Sequence, residues 1–415
     1  PDYAGLDFGR YLRVVDSANP MHRLWSDSPW LKYHLAHGCY WKNCAFCDVE
    51  LDYVANYAPA DVEALVRAAD AVSARTGLYG LHFVDEAMPM ARLLAFARAN
   101  RGRAARGLKA FHFWGNARFD ASWTEARCEF LAASGLVAVS GGIEIATERG
   151  LEMTDKGFDL EGLVRSLVAL KRSGILVHAY LIYGFPGQDA AGIVDSAETL
   201  RQLIASGLVD SAFWHRFVLT RHSRLMAEKR SGGRPELAPR GAEAEAAADG
   251  SPLFADNDLS FSGESSFDRF AGLLEAALAD WMEGEDLERP AAKRLGMRGG
   301  GLRADLVEGL IARAEDGLDA ARAAAPSGDA AAALRAHWLA GEPVLAAPGL
   351  LRWAYRGELE ELGLPAEGAR RLRDALVALG RSGEGAPLAG FLAEAGLGPG
   401  SPELAALRGT GLALV

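Results

Sequence analysis

Cysteine is scarce in this 415-residue sequence, at four residues in all. So few cannot staple a disulfide-built fold, and they suit a reducing compartment. No apolar run approaches the ~18 residues needed to cross a bilayer. The opening Pro1-Asp2-Tyr3-Ala4-Gly5 has neither the basic nor the apolar stretch of a secretory signal. These absences lead us to expect a cytoplasmic protein with no membrane partner. Positive charge is short as well: 44 Lys and Arg face 55 Asp and Glu, for a net charge of −11. That balance argues against a broad nucleic-acid-binding face. What is present is ordinary for a large folded chain, half hydrophobic and long enough for more than one domain.

Three of the four cysteines fall in one nine-residue stretch, Cys39-Tyr40-Trp41-Lys42-Asn43-Cys44-Ala45-Phe46-Cys47. Thiolates are soft ligands suited to zinc or iron–sulfur clusters. Structural zinc takes four protein ligands and ordinary iron–sulfur proteins supply four cysteines, so a fourth donor is missing. His37 lies two residues upstream, which leaves a Cys3His zinc knuckle arithmetically open. Cys128 lies on a predicted helix and reads as a small buried hydrophobe.

Around this loop the hydrophobic pattern alternates between strands and helices. Strands are predicted at residues 31–36, 80–84, 110–114, 136–140, 175–183 and 211–219. Between them, Asp61 opens a helix with Val62, Leu65, Val66, Ala69 and Val72 on one face, closed by Gly77. Another runs from Met90 to about Asn100. Ser122 with Glu125 suggests a capping box for a helix through Ala133. Asp159 caps a further amphipathic helix that Gly174 closes, and a stripe from Ile193 to Ile204 marks the next. Six β/α units imply a parallel sheet with helices outside it. They are too few for a closed eight-fold barrel.

In β/α folds of this kind chemistry gathers where strands end. After the first strand comes the cysteine loop, and after the second Asp85 and Glu86. Asn116-Ala117-Arg118 follows the third. Gly141-Gly142-Ile143-Glu144 follows the fourth, with Arg149 and Asp155-Lys156-Gly157 beyond it. Tyr183-Gly184-Phe185-Pro186-Gly187-Gln188 follows the fifth. The sixth carries Trp214-His215-Arg216, then Thr220-Arg221-His222. Two histidines and two arginines there suit an anionic substrate, and His215 is placed to move protons. His82, His112 and His178 lie inside strands and read as core or barrel-lining residues.

The cysteine loop and this row of strand ends resemble those of radical S-adenosylmethionine (SAM) enzymes. In that family three cysteines hold a [4Fe–4S] cluster whose fourth iron is left for SAM. The commonest pattern is C-x3-C-x2-C with an aromatic before the last cysteine. Here Phe46 and the Cys44-x2-Cys47 spacing match, whereas four residues separate Cys39 from Cys44. The resemblance implies a six-unit (β/α)6 partial TIM barrel and cluster ligation by Cys39, Cys44 and Cys47. It implies SAM contacts from Phe46, from Asp85 or Glu86, from Arg118 and Glu144, from Lys156 in the Asp155-Lys156-Gly157 turn, and from the Gly184 turn beside the adenine. His215 and Arg216 are the candidate catalytic pair at the substrate side. The implied chemistry is reductive cleavage of SAM to methionine and a 5′-deoxyadenosyl radical that takes hydrogen from substrate. The family's Gly-Gly-Glu glycines are absent, Ile145-Ala146 replaces a Ser-Gly, and Gln188 replaces a Glu. Within the superfamily the chain looks most like the branch that often carries an N-terminal cobalamin-binding domain. Pro1 through Leu12 resembles the linker after such a domain. Cobalamin-dependent methyl transfer is therefore the alternative reaction. Yet the chain has no Asp-x-His-x-x-Gly stretch, so cobalamin binding is not expected of this chain alone. A small-molecule or peptide substrate is expected, together with a reducing partner such as flavodoxin or ferredoxin.

The domain reading is a lead-in over 1–28, the partial barrel over 29–228, a polar linker over 229–252, and a mostly helical C-terminal domain over 253–415. Helices are predicted over 267–284, 302–324 and 328–340, with two more over 358–379 broken at Gly363-Leu364-Pro365. Residues 389–395 and then 404–415 read as a helix, a turn and an edge strand, which would allow a winged-helix-like end. No catalytic motif stands out there, and a cover or substrate-recruiting role is expected.

Overall fold

The computed structural model describes residues 3, 5–10, 19–27, 29–235, 237–240 and 257–415. Residues 11–18 of the expected lead-in and 241–252 of the expected linker lie outside the described residues. Six strands form one sheet: β1 (Leu31–Tyr33), β2 (Gly80–Phe83), β3 (His112–Ala117), β4 (Leu136–Glu144), β5 (Leu176–Tyr183) and β6 (Ser211–Arg216). They stand in chain order and every adjacent pair is parallel. β1 and β6 are the two edges, so the sheet is an open (β/α)6 partial barrel.

Helix α1 (Pro20–Asp27) precedes β1. The crossovers are α2 (Val62–Thr76), α3 (Met90–Ala105), α4 (Glu125–Ala133), α5 (Glu148–Met153) with α6 (Leu160–Arg172), and α7 (Ala190–Ala205); α8 (Arg224–Arg230) follows β6. The local signals act as expected in α2. The Asp61 carboxylate accepts from the Glu63 and Ala64 amides, Gly77 closes the helix at φ 71°, and the five stripe residues are buried. In α4 the cap is Thr124, whose hydroxyl accepts from the Arg127 amide, and not Ser122. The Ser122 hydroxyl instead donates to Asp120 at 2.5 Å. Several strand ends move: β1 stops at Tyr33 and β6 at Arg216, short of the expected ends, β3 lies a few residues later than the pattern suggested, and β4 continues through Glu144.

Beyond the barrel, β7 (Leu219–Thr220) pairs antiparallel with β8 (Asp258–Phe261). Then α9 (Ala271–Met282) and α10 (Leu306–Ala323) bury Leu274, Trp281, Val307 and Leu310 in the same core as the barrel helices. A second core forms from β9 (Arg335–Trp338), β11 (Leu350–Tyr355), α11 (Ala366–Ser382), α12 (Leu388–Ala395), α13 (Pro402–Gly409) and β13 (Leu412–Leu414). The intervening strands β10 (Val344–Ala347) and β12 (Glu358–Gly363) flank β11. The region is mainly helical, with two corrections. The stretch read as a helix over 328–340 is a short helix, Gly328–Ala332, followed by β9, which pairs with β13. Its alanine run favours helix, but pairing with the last strand buries His337 and Trp338 and prevails. Residues 358–363 form β12, not a helix. Arg356 and Gly357, both at positive φ (51° and 85°), make the two-residue turn that folds this strand back on β11.

Candidate active site

The cysteine loop begins where β1 ends. Asp85, at the end of β2, accepts from the Leu35 and Ala36 amides at 3.0 and 2.7 Å. Ala36–His37 then pairs with Ala58–Pro59 and closes the base of the loop. Inside it, the Cys39 amide donates to Val54 O at 3.1 Å, the Cys47 amide to Cys44 O at 3.2 Å, and the Trp41 amide to Cys39 Sγ at 3.4 Å. Two outside elements hold it. The Ala45 amide donates to Thr154 O, and the first residues of α8 donate to Ala45 O and Cys47 O. Asp48 is buried and accepts from Tyr53, Thr220 and Asn257, which ties the loop to β7 and to the residue just before β8.

The three cysteines open onto one cavity of about 350 Å³, which Phe46, Glu86, Arg118, Glu144 and Lys156 also line. Each comes from a different loop or strand end, and the parallel sheet brings them together. The cavity also takes in Asn116, from the third strand-end group, and Trp41, Ser140 and Tyr180, which the strand-end reading missed. A signal was present for two of them: Ser140 and Tyr180 are polar or amphipathic residues inside otherwise apolar strands. Gly141 and Gly142 belong to the same wall. A Cβ on Gly142 would lie 1.8 Å from Glu144 Oε1, and one on Gly141 would lie 2.6 Å from Ala117 O. Only glycine allows this approach.

The cavity's charges are arranged in pairs and stacks. Lys156 Nζ is 2.7 Å from Glu144 Oε1, and both side chains are buried. Burial pulls the Lys156 pKa down, but Glu144 and the nearby thiols outweigh it and hold the ammonium above its ordinary value. Glu144 itself takes φ 65° beside an irregularity in the β4–β5 register. This is an uncommon conformation for a residue with a side chain, and such strain clusters at functional sites. The Arg118 guanidinium lies 3.8 Å from the Trp41 ring centroid, donates to Lys156 O and has Asp120 at 3.4 Å. The Cys47 thiol donates to Cys44 and brings that thiol down to about 7, and Lys156 acts the same way. Glu86 is without a side-chain partner among the described residues, and partial burial raises its pKa.

Four sequence candidates lie elsewhere. Asp85 points its carboxylate into the backbone below the loop and does not line the cavity. Gly184, at φ 81°, packs against Phe267, and its amide donates to Gln188 Oε1 at 2.8 Å. Arg216 is 2.9 Å from Asp268 and donates to Glu264 O. His215 faces the rings of Phe213 and Tyr180 at 4.6 and 5.8 Å, and burial lowers its pKa. Cys128 is fully buried, as expected.

The donors fit an iron–sulfur cluster better than one zinc ion. His37, the fourth ligand of a zinc knuckle, pairs with Asp52 at 3.0 Å. Among the described residues no three Cys, His, Asp or Glu side chains close around a single ion position. Three thiols that each bind a different iron need no such convergence. Charged groups across the cavity from them suit a zwitterionic ligand.

Residues 33–200 match the family model described as the Radical SAM superfamily. No curated protein sequence matches the chain. Among solved structures it is similar to a radical SAM methyltransferase, TsrM from Kitasatospora setae, at 19% identity and a TM-score of 0.45, over 70% of this chain and 62% of that one. It is also similar to the cobalamin-dependent SAM radical enzyme OxsB at 12% identity and 0.45, over 69% and 55%. A third is the FeFe-hydrogenase maturase HydG from Carboxydothermus hydrogenoformans, at 13% and 0.39, over 68% and 66%. The chain thus spans about three fifths of the methyltransferase. At these identities and TM-scores the likenesses assign neither substrate nor reaction.

Proposed function

We propose that the cavity is where SAM is cleaved, on the strength of the match of residues 33–200 to the radical SAM superfamily, whose members use a [4Fe–4S] cluster and SAM. The observation that carries the reading is the single cavity shared by three thiols and by Glu86, Arg118, Glu144 and Lys156. Cys39, Cys44 and Cys47 would hold three irons and leave a fourth open. When bound, the cluster supplies the electron that splits SAM into methionine and a 5′-deoxyadenosyl radical.

The chain's own residues position SAM and shield it. Glu86, the acidic side chain without a partner, accepts from the SAM ammonium; Asp85 is committed to the loop backbone. Arg118 braces the Lys156 turn against Trp41 and presents positive charge to the SAM carboxylate. Glu144 faces the rest of SAM from the opposite wall, held by Lys156. Phe46 closes the loop side. His215, whose pKa partial burial lowers, stands next to Tyr180 as the candidate for proton movement on the substrate side. The substrate is a small molecule or a peptide, and a flavodoxin or ferredoxin supplies the electron.

The deciding experiment is anaerobic reconstitution. Close to four irons and four sulfides per chain are expected, with slow release of 5′-deoxyadenosine from SAM and dithionite. Replacing Cys39, Cys44 and Cys47 with Ala should abolish both, and Cys128→Ala neither. One tightly held zinc without sulfide would overturn the reading. Hydroxocobalamin mixed with the chain and then desalted is expected to leave no corrin absorbance. Stoichiometric retention would favour cobalamin-dependent methyl transfer instead.

A further inference from the structure

Outside the barrel, where α3 meets β9, basic side chains gather without acidic partners. Arg98 and Arg101 come from α3, and Arg335 opens β9. Arg101 donates to Ala133 O and Trp338 O at 3.2 and 3.0 Å, and Arg335 donates to Gly385 O at 2.9 Å. These bonds use guanidinium ends of Arg101 and Arg335, and Nε of both, like Nε of Arg98, is buried with no partner among the described residues. His337, 1% exposed, lies among them, and its Nε2 is unpartnered too. Burial and the three nearby arginines hold this histidine neutral, with a pKa of about 3.

Other enclosed arginines of this protein are treated differently. Arg103 pairs with Asp70, Arg201 with Glu198, and Arg322 with Glu125 and Glu129. Among the described residues Arg98, Arg101 and Arg335 have no carboxylate within ion-pair distance. A guanidinium stays charged under all ordinary conditions, so the repulsion cannot be relieved by losing a proton. Arg98 and Arg335 line a groove of about 730 Å³, with Arg92 further along it. The carboxylates of Asp61, Glu63 and Glu384 line the same groove. Asp61 caps α2, Glu63 has Arg67 at 3.9 Å, and Glu384 is exposed and packs beside Gly102.

We propose that this groove binds a small phosphate-bearing anion, held by Arg98 and Arg335 across the junction of α3 and β9. A phosphate group offers several acceptor oxygens and up to two charges, which suits two guanidinium charges arriving from separate elements; a halide carries only one charge. Because the arginines come from the barrel and from the C-terminal core, the ligand would tie the two together. The site lies apart from the SAM cavity and does not depend on the function proposed for it.

The test uses iron-replete protein titrated with inorganic phosphate and pyrophosphate at constant ionic strength, read by calorimetry and thermal unfolding, with chloride as control. Saturable binding is expected, with a rise in Tm and slower hydrogen exchange over residues 98–101 and 335–338. Arg98→Gln with Arg335→Gln should weaken binding at least tenfold and leave SAM cleavage without phosphate unchanged. Arg98→Lys with Arg335→Lys should give an intermediate loss, and Arg67→Gln none. Should the Gln pair fail to fold, the Lys pair and the exchange pattern of the unaltered protein decide. The proposal is overturned if phosphate acts no more strongly than chloride or if the paired variants bind as well as the parent. It is equally overturned if Glu384→Gln creates phosphate binding that the parent lacks, since Glu384 would then be the natural counter-ion.

Discussion

Glu144 and Lys156 form the most constrained pair in the cavity, an ammonium and a carboxylate 2.7 Å apart with under a tenth of either side chain exposed. Removing one partner of such a pair strands the other charge and costs about 3 kcal/mol or more. Lys156→Gln is therefore expected to lower Tm. Lys156 also raises the positive potential at Cys44 and Cys47, so the same variant should lower the cluster's reduction potential in a dye-mediated titration. Lys156→Arg keeps the charge and should keep most of the potential; a potential unchanged in Lys156→Gln would mean the ammonium serves only Glu144. Glu86 is the contrasting case, a carboxylate without a side-chain partner among the described residues. Glu86→Gln should fold normally, hold its iron and bind SAM roughly tenfold more weakly, the loss of one charge-assisted hydrogen bond. Normal SAM affinity in equilibrium dialysis would move the ammonium contact elsewhere.

At the scale of an element, the turn after α5 does more than connect α5 to α6. Asp155 and Gly157 take φ 50° and 72°, which brings the chain under the cysteine loop. A Cβ on Gly157 would lie 2.1 Å from the Trp41 ring, so the turn and the loop fit only because that position has no side chain. Trp41 in turn donates from its indole to Asp155 O at 3.2 Å and stacks on Arg118. Gly157→Ala is expected to push Trp41 off the guanidinium and weaken SAM binding severalfold. Iron content should survive, because the backbone bonds from α8 and Thr154 still hold the loop. Loss of iron together with SAM binding would show that the turn supports the cysteines directly.

For the whole molecule, two almost fully buried histidines set the acid limit. His178 in β5, hydrogen-bonded to Ser211 at 2.7 Å, and His337 in β9 each have a pKa of about 3, chiefly because burial disfavours the charged ring. In the unfolded chain both titrate near 6.5. Between those values the unfolded state binds more protons than the folded one. Stability is therefore full above about pH 6.5 and falls as pH drops toward 3, by up to about 1.4 kcal/mol per pH unit per histidine. Denaturant midpoints measured from pH 7 to 4 should show that decline. His178→Asn should flatten it while lowering stability at pH 7; an unchanged slope would place the acid sensitivity in other groups.

The cysteine loop, the order of the six β/α units and most helix boundaries were readable in the chain because they are local properties. Soft ligands at close spacing, an apolar stripe at helical period and a capping Asp before a Gly stop act over a few residues, as Asp61 and Gly77 do in α2. The row of charged strand ends was readable too, since a parallel sheet places those ends together. What tertiary structure alone decided is which of them meet. Asp85 and Glu86 are neighbours with similar chemistry, yet backbone amides fifty residues away take the first and leave the second to the cavity. Arg216 is paired by Asp268, from beyond the barrel. Residues 335–338 have an alanine-rich approach that favours a helix and become a strand because β13, at the far end of the chain, offers the pairing that buries them. In each case the partner's position is set only when the whole chain has folded, and for residues 335–338 strand pairing with burial outweighed a local helix preference of about tenths of a kcal/mol per residue.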